Sequence, residues 1–470
     1  MINADLGLLT DLYQISMSYA YWKNNMAERK SVFNLYFRKA PYGNQYAIAC
    51  GLGQVVKYIE GQREFWLSSS DMNYLWTLTG DDGNKLFSRE FIDFLGAMEF
   101  DLTIDAIPEG TVVFPGEPLL RVFGPLYQCQ LLESILLNQI NFSTLIATKA
   151  HRIVQAAGDD QVFDFGLRRA QGIDGALSAS RAAYIGGCAG TSNVLAGRKF
   201  GIPVKGTMAH SFIMSFDNEL DAMIAWVNSM PNNSTLLVDT YDTIRGIDYA
   251  ITAGNILRKN GKDLAGIRLD SGDLCELSKQ ARKMLDAAGF TNTTIVASND
   301  LDEIEIMNLK AAGACVNAWG VGTNLITGGD QSALGGVYKL SAIESKDGQL
   351  RDKIKVSADV DKSTYPGLQK VRRYFEDGKA AYDIIYDERR NTRKDIYLPS
   401  YQDLLVPVYD NGVLIYKQPE LKDMRQNTFK SVKQFDWQKT PHYGVLYDEK
   451  IMNSRHKLMD ELHSKGITNE

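Results

Sequence analysis

At 470 residues the chain is too long for one small domain and is expected to build two or three units. Hydrophobic residues at 44%, charged residues at 23% and a net charge of −6 fit a soluble globular protein. They argue against a general nucleic-acid or anionic-membrane surface, since both reward a basic face. Five cysteines (Cys50, Cys129, Cys188, Cys275, Cys315), odd in number and without CxxC spacing, fit reduced thiols better than a disulfide framework or a zinc site. The opening MINADLGLLTDLYQ shows no basic-then-apolar signal, and no apolar run approaches the roughly 20 residues of a membrane span, so a cytoplasmic location is expected.

Up to about residue 125, helix and strand patterns mix. Asp11 to Met26 carries apolar and aromatic residues at helical spacing, SVFNLYFRKAP reads as a strand, and PEGTVVFPGEPLLRVFGPL reads as short antiparallel strands broken by Pro and Gly. From Leu131, LLESILLNQINFSTLIATKAHRIVQAAG reads as a long, largely buried helix. Between about Asp160 and Leu340, short apolar runs recur, each followed by a polar or Gly-rich turn and a helical pattern: QVFDFG, IPVKGT, TLLVDT, AGIRLD, TTIVAS, ACVNAWG and GGVYKL. In CELSKQARKMLDAAGF, Leu274, Leu277, Ala281, Met284 and Leu285 share one helical face. Strand-then-helix repetition means parallel strands, and this many units predict an irregular α/β barrel resembling a TIM barrel. An open doubly wound sheet is the alternative. Past about residue 345 antiparallel signals return, with Asp377-Gly378 and Asn411-Gly412 as hairpin turns and a polar tail from Lys439. The predicted organisation is 1–130 and 344–470 as an α+β sheet domain flanking a barrel at 131–343.

In a barrel, polar residues just after a strand line the mouth where substrates bind. Those positions hold Arg168 and Arg169; Thr207 and His210; Asp239 and Asp242; Arg268, Asp270, Ser271 and Asp273; Asn299 and Asp300; and Gly320, Gly322, Thr323 and Asn324. Singly, each has an ordinary explanation: a structural histidine, an N-cap, a surface ion pair, a turn that needs glycine. Together they suit a phosphorylated substrate carrying Mg²⁺. Arginine matches carboxylates and phosphates through paired hydrogen bonds, glycine admits anions to the backbone, and carboxylates hold Mg²⁺ beside a diphosphate. Neither a GxxxxGK[ST] loop nor a GxGxxG fingerprint is present.

LLTDLYQ (8–14), YFRKAPYGNQYAI (36–48), FDFGLRRAQG (163–172), GTMAHS (206–211), IRLDSGD (267–273) and WGVGTN (319–324) together resemble the nicotinate phosphoribosyltransferase family. The resemblance implies transfer of a phosphoribosyl group to nicotinate in NAD salvage, with ATP as co-substrate, and a homodimer whose active sites use both subunits. It implies that ATP transiently phosphorylates His210, with Asp239 orienting the imidazole. It places Tyr13, from across the dimer, and Phe165 on the pyridine ring. Arg168, Thr207 and Arg268 would meet the nicotinate carboxylate or the product phosphate. Gly322, Thr323, Asp270 and Ser271 would meet the ribosyl donor, and Arg38, Lys355 and Lys362 its diphosphate. The Mg²⁺ is expected near Asp270, Asp273 or Asp300.

Nicotinamide-using relatives carry an acidic residue where this chain has Ser192, in Gly190-Thr191-Ser192-Asn193. An aspartate there would accept the amide N–H but repel a carboxylate, so serine favours nicotinate. A nicotinamide phosphoribosyltransferase and a catalytically silent binding protein of the same fold are the alternatives.

Overall fold

A computed structural model describes residues 6–63, 66–357, 363–390, 398, 400–438 and 442–465. The chain divides into two compact units, Ile146–Ser332 and a second made of Met1–Leu145 with Ala333–Glu470.

In the Ile146–Ser332 unit five of the apolar runs become strands of a six-stranded parallel sheet: β1 (Gln161–Asp164), β2 (Gly190–Thr191), β3 (Thr235–Leu237), β4 (Gly266–Leu269), β5 (Thr294–Ser298) and β6 (Ala318–Val321). Their order is β2-β1-β6-β5-β4-β3, with pairs such as Thr294↔Gly266 and Ala318↔Gln161 setting the register. Residues such as Ile267, Leu269, Ile295 and Ala297 are wholly buried, because helices between successive strands cover the outer face. Val204 of IPVKGT adds only a parallel bridge to Thr191. No ladder among the described residues joins that segment to β3; a side-chain bond, Asn233 Nδ2 donating to the Gly206 carbonyl at 3.2 Å, reaches across instead. The irregularity expected of the barrel takes this form, an α/β sheet whose hydrogen bonding does not close.

The helix Leu274–Ala287 buries Leu274, Ala281 and Leu285 of the predicted face. Its first turn is capped by Asp273, whose Oδ1 accepts from the Glu276 N–H at 3.0 Å. The helix Thr243–Lys259 lies so close to the end of β3 that a Cβ on Gly246 would meet the Val238 carbonyl oxygen at 2.0 Å. Two of the expected parallel strands need correction: IPVKGT forms no strand beyond the single bridge at Val204. GGVYKL is not a parallel strand; Gly336–Glu344 pairs antiparallel with Lys30–Phe37 in the other unit. Conversely, β2 has only two residues and no apolar run, so its sequence carries no periodic signal.

The other unit is antiparallel except where the strand 379–387 pairs parallel with 444–447. Its seven-stranded sheet runs in the order 350–352, 336–344, 30–37, 120–125, 103–106, 406–410, 413–414, drawing strands from both ends of the chain. A four-stranded sheet holds 401–403, 369–376, 379–387 and 444–447. Both predicted hairpin turns are present, with positive φ at Asp377 (50°), Gly378 (75°), Asn411 (44°) and Gly412 (77°), as type I′ turns require. The long helix spans Glu133–Ala157. No helix among the described residues is long and apolar enough to cross a membrane.

Candidate active site

Strand alternation turns Ile267 and Leu269 into the core and leaves Arg268 on the opposite face of β4, with 17% of its side chain exposed. Arg268 spreads its donors over three side chains, with the Met208 carbonyl 3.5 Å from Nη1 as well. Nε donates to the Ser298 hydroxyl at 2.8 Å, Nη2 to Asp270 Oδ1 at 2.8 Å, and Nη1 to the Thr207 hydroxyl at 3.2 Å. The Ser298 hydroxyl in turn donates to Asp270 Oδ1. The second oxygen of Asp270, Oδ2, lies 3.7 Å from His210 Nε2. Partial burial raises the Asp270 carboxyl, but the Ser298 hydrogen bond, Arg268's bond and charge, and His210 outweigh it, so the net shift is downward and the group is a carboxylate.

His210 opens the short helix His210–Met214 and keeps 40% of its side chain exposed. Its Nδ1 lies 3.2 Å from the Thr240 hydroxyl. Both ring nitrogens therefore have neighbours, yet the ring stays at the surface of the site. The carboxylate expected to orient His210 was Asp239, and here the structure differs. Asp239 Oδ2 accepts from the Asp270 N–H and from the Ser271 hydroxyl, each at 2.7 Å. Two residues past the end of β3, Asp239 faces the loop after β4, the neighbouring strand, and fixes that loop's backbone. Asp242 is an N-cap, accepting from the Arg245 N–H at 2.8 Å.

On β1 and β6 the same sheet carries the remaining candidates of this unit. Phe165 is half-buried, and its ring fills the space above Gly320, where a Cβ would sit 2.5 Å from the ring. The turn bearing Phe165 and Arg168 is fixed by Asp164: Oδ1 accepts from the Gly166 N–H at 2.8 Å, and Oδ2 from the Ser180 and Thr191 hydroxyls at 2.7 Å. Arg168 itself is exposed. Gly322 is the N-cap of the short helix Thr323–Ile326, and the Asn324 amide donates to the Asp300 and Leu301 carbonyls. Ser192 is half-buried and lines an open cavity of about 440 Å³ with Leu167, Ile173 and Val194. A second cleft, of about 460 Å³, is lined by Asp273, Asn299, Asp300, Asp302 and Glu305, all at or beyond the ends of β4 and β5. Among the described residues no group of three or more His, Cys, Asp or Glu side chains is placed to hold a metal ion by itself.

The sheet thus links His210, Thr207, Arg268, Asp270, Asp239 and Ser271 through direct contacts, while Phe165, Arg168, Gly322 and Thr323 stand at neighbouring strand ends. Tyr13, Arg38 and Lys355 belong to the other unit. Tyr13 is half-exposed and donates to Glu133 Oε1 at 3.1 Å; burial and that carboxylate push its hydroxyl up to about 12. Arg38 is half-buried after the strand Lys30–Phe37, Lys355 is exposed, and Lys362 lies outside the described residues. Sequence reasoning missed Thr240, Ser298 and Asp164. Hydroxyls and a buried carboxylate inside apolar strand patterns give no signal until the neighbouring strands are known.

Residues 8–141 match the model of the nicotinate phosphoribosyltransferase N-terminal domain, and residues 161–378 match the model of the nicotinate phosphoribosyltransferase family. A Bacillus subtilis protein named nicotinate phosphoribosyltransferase is 42% identical over 442 residues, covering 90% of this chain and 87% of that protein. A human protein of the same name is 35% identical over 435 residues, covering 80% of this chain and 79% of that one. The crystal structure of human nicotinic acid phosphoribosyltransferase superposes with a TM-score of 0.82 at 28% identity, covering 96% of this chain and 99% of the other. The nicotinate-nucleotide pyrophosphorylase structure from Pyrococcus furiosus, at 22% identity and a TM-score of 0.71, shares the fold. The chain belongs to the nicotinate phosphoribosyltransferase family.

Proposed function

We propose that this chain joins nicotinate to the phosphoribosyl group of phosphoribosyl pyrophosphate, releasing pyrophosphate, and drives the reaction with ATP through a transient phosphate on His210. The observation that carries the reading is the linked cluster Thr207–Arg268–Asp270–His210 at the end of β4, in a chain of this family. Displacement of pyrophosphate passes through an oxocarbenium-like state, and the pyridine nitrogen is itself the nucleophile. The protein's work at the sugar is therefore positioning and charge neutralisation, and no side chain need attack carbon.

That leaves His210 for energy coupling. Asp270 beside Nε2 favours the tautomer with its proton there, so the Nδ1 lone pair, now next to the Thr240 hydroxyl, is the nucleophile toward the γ-phosphorus. The N–P bond forms as ADP leaves, and water later releases phosphate. Asp239 takes a supporting part by holding the backbone of Asp270 and the hydroxyl of Ser271. Thr207, Arg268 and Arg168 would receive the nicotinate carboxylate or the product phosphate, with Phe165 stacking on the ring and Tyr13 supplied by the other subunit of a homodimer. Gly322, Thr323, Asp270 and Ser271 would receive the ribosyl phosphate and hydroxyls, and Arg38, Lys355 and Lys362 the diphosphate.

The donor set fits a cation that arrives with a diphosphate, because Mg²⁺ in such sites needs only one or two carboxylates. Asp273 and Asp300, both exposed along one cleft, would hold it, and its contribution is to neutralise diphosphate charge.

The test supplies the ribosyl donor and Mg²⁺ with nicotinate or nicotinamide, with and without ATP, and measures mononucleotide. Product from nicotinate, increased by ATP, is expected. No product from nicotinate overturns the proposal, and a preference for nicotinamide replaces it with the nicotinamide enzyme.

A further inference from the structure

Ser298 closes β5 and is only 4% exposed, yet its side chain engages two charged residues of the adjacent strand and the loop that follows it. A serine hydroxyl has one proton and two lone pairs. Arginine can only donate and a carboxylate can only accept, so the direction of each bond is fixed. Arg268 Nε donates to the hydroxyl at 2.8 Å, and the hydroxyl proton points to Asp270 Oδ1. Arg268 Nη2 reaches the same Oδ1 at 2.8 Å. Two donors thus converge on one oxygen of Asp270, which leaves Oδ2 turned toward His210 Nε2 and Arg268 Nη1 turned toward Thr207. A hydroxyl placed only to satisfy itself would use the Leu269 carbonyl, but that oxygen is 3.5 Å away.

We propose that Ser298 is a positioning residue: it locks Arg268 and Asp270 in one mutual geometry, so that a single carboxylate oxygen faces His210 and one end of the guanidinium faces Thr207. It acts through those two side chains and needs no contact with substrate. The catalytic consequence rests on the phosphate-carrying role proposed for His210; the positioning itself does not.

The experiment compares the full chain with Ser298→Ala and Ser298→Thr. Loss of one charge-assisted hydrogen bond is expected to slow transfer of the γ-phosphate of ATP to His210 about tenfold in Ser298→Ala. Half-saturation by ATP should move less than about threefold, since no substrate contact is removed. Ser298→Thr keeps the hydroxyl and should return the rate to within about threefold of the parent. A wild-type rate in Ser298→Ala, or equal losses in the alanine and threonine variants, overturns the proposal. Crystal structures of the parent and Ser298→Ala read the geometry without any activity. In the variant the Asp270 carboxylate should turn so that neither oxygen stays within the ion-pair reach of about 4 Å of His210 Nε2. An unmoved carboxylate overturns the positioning. Absence of any transfer in the parent chain overturns the proposed function, and the crystal structures still decide the role of Ser298.

Discussion

In the antiparallel unit Arg373 and Asp383 meet at 2.7 Å with 0% of either side chain exposed, whereas in the parallel-sheet unit Arg268 and Asp270 meet at 2.8 Å and keep 17% and 26%. Around Arg373 the environment is closed. Its guanidinium also donates to the Val112 carbonyl at 3.0 Å and lies over the Phe435 ring, and Tyr443 donates to Asp383 at 2.7 Å. Glu117 is buried beside them; burial first, and then the Asp383 carboxylate, push it well above the ordinary carboxylate range. Around Arg268 the environment is open, with a guanidinium edge at Thr207, a carboxylate oxygen at His210 and an imidazole at the surface. A charge closed on all sides can only hold the chain together. A charge held on one side and open on the other can meet a ligand, and that difference separates scaffold from site more clearly than charge or burial alone.

The contrast breaks most visibly at His210. His210→Ala should lower nicotinate-dependent ATP hydrolysis by at least about 10³-fold, the loss expected when the nucleophile of a covalent step is removed, while some ATP-independent mononucleotide synthesis remains. Because the ring is 40% exposed, the melting temperature should barely move, which calorimetry checks. The closed pair should behave in the opposite way. Arg373→Met strands a buried carboxylate and should lower unfolding free energy by about 3–5 kcal/mol in denaturant titrations. Activity per folded molecule should stay within about twofold.

Acid probes the buried side of the parallel-sheet unit. His151, 2% exposed and donating Nδ1–H to the Gly186 carbonyl, has its ring lowered by burial from 6.5 to about 4. Between those values the unfolded chain binds a proton that the folded chain refuses, so stability falls as pH drops from 6.5 toward 4 and is flat above 7. The loss should approach about 3 kcal/mol at the acid end, and His151→Gln should flatten it in denaturant titrations across that range. The smallest effect concerns selectivity. Ser192→Asp should raise KM for nicotinate about tenfold or more by charge repulsion, and change KM for nicotinamide less, in steady-state assays of both substrates.

Much of this organisation is legible in the residues. Five of the six parallel strands coincide with apolar runs followed by polar turns, and the hairpins at Asp377-Gly378 and Asn411-Gly412 announce themselves because few sequences tolerate two positive φ angles. Gly336–Glu344 is misread as a parallel strand because a half-buried run looks alike in either sheet, and pairing with Lys30–Phe37 is a long-range choice that local pattern does not encode. The same limit governs the site. His210, Arg268 and Asp270 stand out as polar residues after strands, but their partners depend on which strands are neighbours. β3 lies beside β4, so Asp239 holds the loop of Asp270 and not the imidazole; β5 lies on the other side, so Ser298 joins the cluster. Chemistry-bearing residues can be picked out one at a time, but the network that orients them is a property of strand order.

Phosphate transfer to His210 is the step on which the proposed coupling to ATP depends most directly. Incubation with ATP radiolabelled at the γ-phosphate, with Mg²⁺, should leave acid-labile, base-stable label on the chain. The label should be absent from His210→Ala and should discharge as mononucleotide forms from nicotinate and the ribosyl donor. A chain that makes mononucleotide and hydrolyses ATP without acquiring label, or whose label persists in His210→Ala, would contradict it.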